Sequence, residues 1–258
     1  MALEKRSKIQ QLLLSWPSGT VFTSATLKKR GYSDVLLHHY RTSGWLVGIG
    51  RGAFAKAGDV VDWRGGLFAL QQQSRLPVHL GGKSALAYQG AAHFIKFDSE
   101  DVALFADPGT RLPSWFSRHD WGVPITLATT NLLPHDIGLS SQTVGSFSIQ
   151  VSSRERAMLE TLHAVPKSQS LSEARLLMMG LLTLRPKLVQ QLLESCSSIK
   201  VKRLFLLLAE ELKLPWVKKL NLDKIDLGSG DRTLVKSGKL HPKYRLTLPA
   251  DLFDEGSR

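Results

Sequence analysis

The 258-residue chain is long enough to bury a sizeable core, and its 43% hydrophobic content is that of a globular protein. Basic side chains outnumber acidic ones by 34 to 22, a formal charge of +12, which points to phosphate polyanions or acidic surfaces as partners and says nothing about fold. A single cysteine, Cys196, excludes an internal disulfide and a cysteine-rich zinc site. The most apolar run, residues 204–209, falls far short of the ~18 residues a bilayer crossing needs, so no membrane partner is expected. Residues 1–10 are charged and amphipathic rather than a basic start followed by an apolar stretch; a secretion signal is not expected, and the cytoplasm is the expected compartment.

The charge is concentrated at one end. Residues 1–57 carry nine basic side chains (Lys5, Arg6, Lys8, Lys28, Lys29, Arg30, Arg41, Arg51, Lys56) against Glu4 and Asp34, a local +7. Ile9, Leu12, Leu13 and Trp16 recur at helical spacing, and Pro17-Ser18-Gly19 ends that first helix. Thr23 is a good N-cap for a second helix reaching Arg30, with Gly31 placed for a left-handed exit. Ser33 caps a third. On it Leu36, Leu37 and Tyr40 share one side, Val35, His38 and Thr42 fall opposite, and Gly44 closes the helix. Two short apolar runs, 45–49 and 53–57, then flank Gly50-Arg51-Gly52, a hairpin signature with a basic tip. Helix, helix, turn, helix, hairpin is the order of a winged helix-turn-helix.

Beyond Gly58 the pattern is mixed. Residues 63–74 and 83–90 read as helices, 102–105 and 147–151 as strands, and 107–134 as loop-rich. Phe147, Ile149 and Val151 alternate with Ser148, Gln150 and Ser152, which predicts a strand with one wet face. Ser152-x-x-Glu155 reads as a capping box opening a helix to about Ala164, and Ser170-x-x-Glu173 opens another that buries Ala174, Leu177, Met178, Leu181 and Leu182. Pro186 begins a further helix, and Val201, Leu204, Phe205, Leu208 and Leu212 form a fourth stripe. The last forty residues are strand-like. The fold class expected is α+β: a winged helix-turn-helix over 1–58, a linking α/β segment over 59–151, and a mostly helical region with terminal strands over 152–258.

A recognition helix shows its outward side chains to base edges in the major groove while nearby cations bind phosphates and set register. The third helix meets that demand through His38, His39, Arg41 and Thr42, with Ser33 at its start. Lys28, Lys29 and Arg30 are candidate phosphate anchors; Arg51, between two glycines, can reach the backbone or a narrow minor groove, and Lys56 adds a cation to the wing. The bland reading of the same residues is a solvated helical surface.

The stretch 36–46 with Gly50-Arg51-Gly52-Ala53-Phe54 resembles the helix-plus-wing signature of AbiEi-type antitoxins. His79-Leu80-Gly81-Gly82-Lys83-Ser84-Ala85-Leu86 and Ser153-Arg154-Glu155-Arg156-Ala157 are similar to further segments of that family. So are residues 201–209 with Pro215-Trp216, and Leu227-Gly228-Ser229-Gly230 with Tyr244-Arg245-Leu246. The resemblance spans nearly the whole chain. It implies a non-enzymatic autorepressor, without cofactor or metal, that binds inverted repeats in double-stranded promoter DNA, as a dimer or cooperatively. It also implies a nucleotidyltransferase-like toxin as functional partner, counteracted by 152–258 with or without direct contact. A second basic surface of Lys200, Lys202, Arg203, Lys218, Lys219, Lys236, Lys239, Lys243 and Arg245 is the expected toxin-neutralising face, its bland alternative being an ordinary solvated surface.

Enzyme readings compete with this one, the broadest being a nuclease or other DNA-modifying enzyme docked by the winged helix. Gly81-Gly82-Lys83-Ser84 has a P-loop flavour, but the earlier glycine that motif requires is Pro77, and a helix start is the ordinary reading. His119-Asp120 and His135-Asp136 have the pairing of metal phosphohydrolases without the accompanying helical set. Glu211-Leu212-Lys213 has the spacing of a nuclease pair but ends a helix instead of lying on a strand. Cys196 reads as a small buried hydrophobe.

Overall fold

The computed structural model describes residues 7–91 and 101–249; Glu4, Lys5 and Arg6, counted above in the basic excess, lie outside them. The chain divides into two compact units. One comprises residues 1–79, 109–125 and 141–150, the other 80–108, 126–140 and 151–258.

In the first unit α1 (Lys8–Ser15) starts at a capping box in which Ser7 and Gln10 satisfy each other's backbone N–H groups. The strand β1 (Phe22–Thr23) leads into α2 (Ser24–Lys29), with Thr23 as N-cap. Gly31 takes a positive φ of 85°, as its place after a helix requires. Next come α3 (Asp34–Thr42), β2 (Leu46–Gly50) and β3 (Ala53–Lys56). The small sheet has the order β1-β3-β2. Thus the winged-helix order read from the sequence is present, with β1 as an addition too short to show a period. Leu12, Trp16, Phe22, Leu27, Tyr32, Leu37, Tyr40 and Leu46 form its core, and Phe68 packs on it from beyond residue 58.

Phe68 ends α4 (Trp63–Phe68), which runs into a π-helical turn, Ala69–Gln73. That turn aims two amides at backbone: Gln73 bonds to Thr23 N–H and the Val21 carbonyl, and Gln71 bonds to the Val78 carbonyl and to both backbone groups of Gln150. Gly65 is required here, because a Cβ on it would lie 2.0 Å from the Gly19 carbonyl oxygen.

The chain continues through β4 (Val78–Leu80), α5 (Gly82–Tyr88), β5 (Val102–Ala106), α6 (Ser114–Ser117), β6 (Ile125–Thr129), β7 (Leu139–Val144) and β8 (Phe147–Ser152). A five-stranded sheet has the order β6-β5-β4-β8-β7, with β4 parallel to β8. On β8 Phe147, Ile149 and Val151 are buried and Ser148 and Gln150 half-buried, as the alternation predicts, but Ser152, expected on the wet side, is buried as well. The stretch expected to be loop contains α6 and β6.

The second unit is built on helices: α7 (Arg154–Ala164), α8 (Leu171–Met179), α9 (Pro186–Ser195) and α10 (Ile199–Glu211), followed by β9 (Arg232–Thr233), β10 (Lys239–His241) and β11 (Leu246–Leu248) in the order β10-β11-β9. Pro186 stands at the start of α9 as expected, and Ser170 caps α8. The capping box assigned to Ser152 is corrected: Ser153 caps α7, and the Ser152 hydroxyl is buried and donates to Glu160. Leu182 is also not buried, because α8 stops at Met179 and leaves it 58% exposed. The fourth stripe proves to be a whole helix in the core, with every residue of α10 from Val201 to Ala209 buried.

Candidate nucleic-acid interface

Leu37 and Tyr40 anchor α3 in the winged-helix core, so the opposite side of the helix must face outward. Val35, His38, His39, Arg41 and Thr42 are all exposed. The Ser33 hydroxyl accepts the Leu36 N–H at 3.3 Å, so Ser33 serves as the cap that sets where the helix begins. Arg41 Nη2 lies 3.5 Å from His38 Nδ1, and the Thr42 hydroxyl donates to the His39 carbonyl at 3.0 Å.

The cations preceding this helix are held but accessible. Lys28 pairs with Asp34 at 2.6 Å, with side chains 49% and 71% exposed, an ion pair weak enough for a phosphate to replace the carboxylate. Lys29 is exposed. The Arg30 guanidinium sits 4.8 Å from the Phe22 ring centroid, which limits its wandering.

At the wing, Arg51 is exposed and Gly52 has φ 80°. The Gly52 carbonyl accepts the Ser24 N–H at 2.8 Å, tying the tip to the start of α2. The wing is braced at Gly50 too, where an added Cβ would come 2.9 Å from Trp115 Cα in α6. Lys56 does not join the exposed set. Its ammonium donates to the Trp16 carbonyl at 3.1 Å and to the Ser18 hydroxyl at 3.0 Å, beside Asp59, and its side chain is only 14% exposed.

In the C-terminal region the residues expected to form one basic face separate. Lys218 and Lys219, on a 3-10 turn, and Lys236 and Lys239 are exposed. Lys243 pairs with Glu210 and Arg245 with Asp231, both near the surface. Lys200 is half-buried and donates to the Val165 and His163 carbonyls; burial, then Lys167, pushes its pKa down. Lys202 and Arg203 are not on any face, being 4% and 3% exposed. Lys202 donates to the Asp226 carbonyl, while the Arg203 guanidinium donates to the carbonyls of Leu227 (2.8 Å), Gly228 (3.0 Å), Gly230 (2.7 Å) and Arg245 (3.3 Å). The physical reason is the enclosure of α10 on all sides, which leaves a long cation only backbone oxygens to meet. Their expected place on a surface is corrected accordingly.

The signal missed in the sequence is a second set of buried charges. Glu160, 1% exposed, accepts from Arg156 Nε (2.8 Å), Gly82 N–H (2.9 Å) and the Ser152 hydroxyl (2.8 Å), and Arg156 also donates to the Pro134 and Ile137 carbonyls. A carboxylate therefore meets the backbone N–H that a P-loop would offer to phosphate, and Gly81-Gly82 opens α5 as a helix start. Glu155 is gripped by the Arg185 guanidinium and N–H; burial raises its pKa, but those bonds outweigh burial and hold it below the usual carboxylate range. The polar Ser-Arg-Glu-Arg run gave no periodic hint of this.

The His119 ring packs on Trp121, and Asp120 accepts the Gly122 N–H. Glu211 closes α10 with a pKa raised by burial, and Cys196 is buried with its thiol pushed up by that burial. Among the described residues no group of three His, Cys, Asp or Glu could hold a metal ion.

Comparison with known proteins agrees with this architecture. Residues 5–97 match the family described as "Transcriptional regulator, AbiEi antitoxin N-terminal domain", and residues 99–249 match "Transcriptional regulator, AbiEi antitoxin, Type IV TA system". No curated protein matches the chain. The crystal structure of the RV2827C protein from Mycobacterium tuberculosis shares the fold at a TM-score of 0.59 and 17% identity, over 92% of this chain and 88% of that one.

Proposed function

Because the chain belongs to the AbiEi antitoxin family of type IV toxin–antitoxin transcriptional regulators, we propose that it represses its own operon by binding inverted repeats in promoter DNA. The observation that carries this reading is the outer side of α3. A helix fixed by Leu37 and Tyr40 presents His38, His39, Arg41 and Thr42 to solvent, between the cations ending α2 and the arginine at the wing tip. Base reading falls to the α3 residues and phosphate contact to Lys28, Lys29, Arg30 and Arg51. Ser33 and Lys56 act through the fold, one as a cap and the other as a fastening of β3. The DNA-reading part is residues 1–58, with 59–79 bracing it, and the site of action is the cytoplasm, where promoter DNA lies.

Counteraction of a nucleotidyltransferase-like toxin is assigned to 152–258, following the linking segment 59–151. The surface available there is narrower than charge alone implies: Lys218, Lys219, Lys236 and Lys239, with Lys243 and Arg245 in ion pairs. The full chain footprinted on the DNA upstream of its gene should protect two half-sites about one helical turn, or a multiple of it, apart. Protection of one isolated half-site would refute the inverted-repeat reading. In cells carrying the neighbouring toxin, reversing the charge of Lys218, Lys219 and Lys239 together should impair rescue and leave repression intact. Rescue by a folded triple variant at the normal level would remove that face from neutralisation.

A further inference from the structure

The outer side of α3 holds one residue that phosphate binding and hydrogen bonding leave without a role. Val35 is 80% exposed, on the first turn of the helix. At 100° per residue Thr42 falls about 20° from it around the axis and His38 about 60°, so all three share the side turned away from Leu37 and Tyr40. The backbone under Val35 is pinned by the Ser33 cap, and a β-branched side chain in a helix keeps one dominant rotamer. The isopropyl group is therefore held outward in a fixed place.

Nothing among the described residues rewards an apolar side chain there. Valine is a poorer helix former than alanine, glutamate or lysine, and at 80% exposure it buries little surface of its own. Its complement lies outside the protein. The major groove presents donors and acceptors on every base pair and one kind of apolar group, the C5-methyl of thymine. The N-terminal residues of a recognition helix are those that reach base edges. We infer that Val35 packs on a thymine C5-methyl and makes T·A the preferred pair at one position of each half-site. This rests on the DNA-reading function proposed above.

The test uses the full chain to select a duplex from a random-sequence pool, then replaces each thymine of the selected duplex in turn by deoxyuridine, which lacks only the methyl. Affinity should fall about four- to tenfold at one thymine per half-site, the equivalent of burying roughly one to two CH₂ groups. Val35→Ser should bind the thymine duplex more weakly by the same factor and treat uracil and thymine alike at that position. It should keep its melting temperature, its affinity for random DNA and its response to uracil elsewhere. Wild-type indifference to uracil at every position would overturn the assignment, as would undiminished methyl discrimination by Val35→Ser. A change in self-association without any change in discrimination would place Val35 between two copies of the chain instead and would equally overturn it. If no sequence is enriched at all, the base-reading function itself fails, and the role of Val35 with it.

Discussion

Arg203→Met removes a guanidinium that meets four backbone carbonyls and keeps most of its aliphatic stem in place. A hydrogen bond to a charged group is worth about 1.5–3 kcal/mol, so four of them represent roughly 6–12 kcal/mol in favour of the native state. Holding the cation in the interior costs several kcal/mol in lost hydration, and burial, with Arg232 and Arg245 nearby, pushes its pKa down. Gly228, Gly230 and Arg245 are exposed residues whose freed carbonyls can take up water, which returns part of the loss. The net expectation is a destabilisation of about 2–4 kcal/mol. For a unit of this size that amounts to a fall of roughly 4–16 °C in melting temperature by calorimetry. Arg203→Lys should recover less than half, since an ammonium cannot match a planar fork aimed at oxygens on both sides of it. DNA affinity at a temperature where the variant remains folded should not change. An Arg203→Met protein that melts with the wild type would refute the clamp and restore Arg203 to the surface chemistry first expected of it.

The grip on Glu155 makes stability depend on pH with a definite sign. A carboxyl whose folded pKa lies below its unfolded one contributes stability that is complete above the unfolded value, about 4.3, and is lost as pH falls through the folded pKa. Urea unfolding of Glu155→Gln should therefore show a flatter acid limb than the wild type; parallel limbs would contradict the assignment. Cys196, buried and with its thiol pKa raised by burial, should resist iodoacetamide at pH 7.5 in the native state and react once urea unfolds the chain. Fast native alkylation would show the thiol to be accessible. Lys56→Ala should lower the melting temperature while leaving the salt dependence of DNA binding unchanged, whereas Arg51→Ala should reduce the salt slope by about one and leave stability alone. The reverse pattern would exchange their roles.

What the sequence made legible follows from what it encodes locally. Caps, glycine exits and a 3.6-residue period are written within a few positions, and Thr23, Ser33, Gly31 and Gly44 mark the helices of the winged domain where the structure has them. The outward side of α3 was readable because its inward side is apolar. Strands β1, β4 and β7 were not legible: two are only two or three residues long, and β7, Leu-Ser-Ser-Gln-Thr-Val, is polar through its centre. Charge misled for a different reason. Lys56, Lys202 and Arg203 look solvated beside apolar residues, and only tertiary structure brings backbone oxygens to their ends. Val35 was placed correctly on the outer side of α3, yet an exposed valine draws no attention until its surroundings are seen to be polar.

The measurement that bears most directly on the account is the affinity of the full chain for the DNA upstream of its own gene, set beside random DNA of equal length across a range of salt concentrations. The account predicts a preference of about a thousandfold or more for its own promoter, with affinity for both DNAs falling steeply as salt rises. Equal affinity for the two DNAs, or an affinity that salt leaves unchanged, would contradict it.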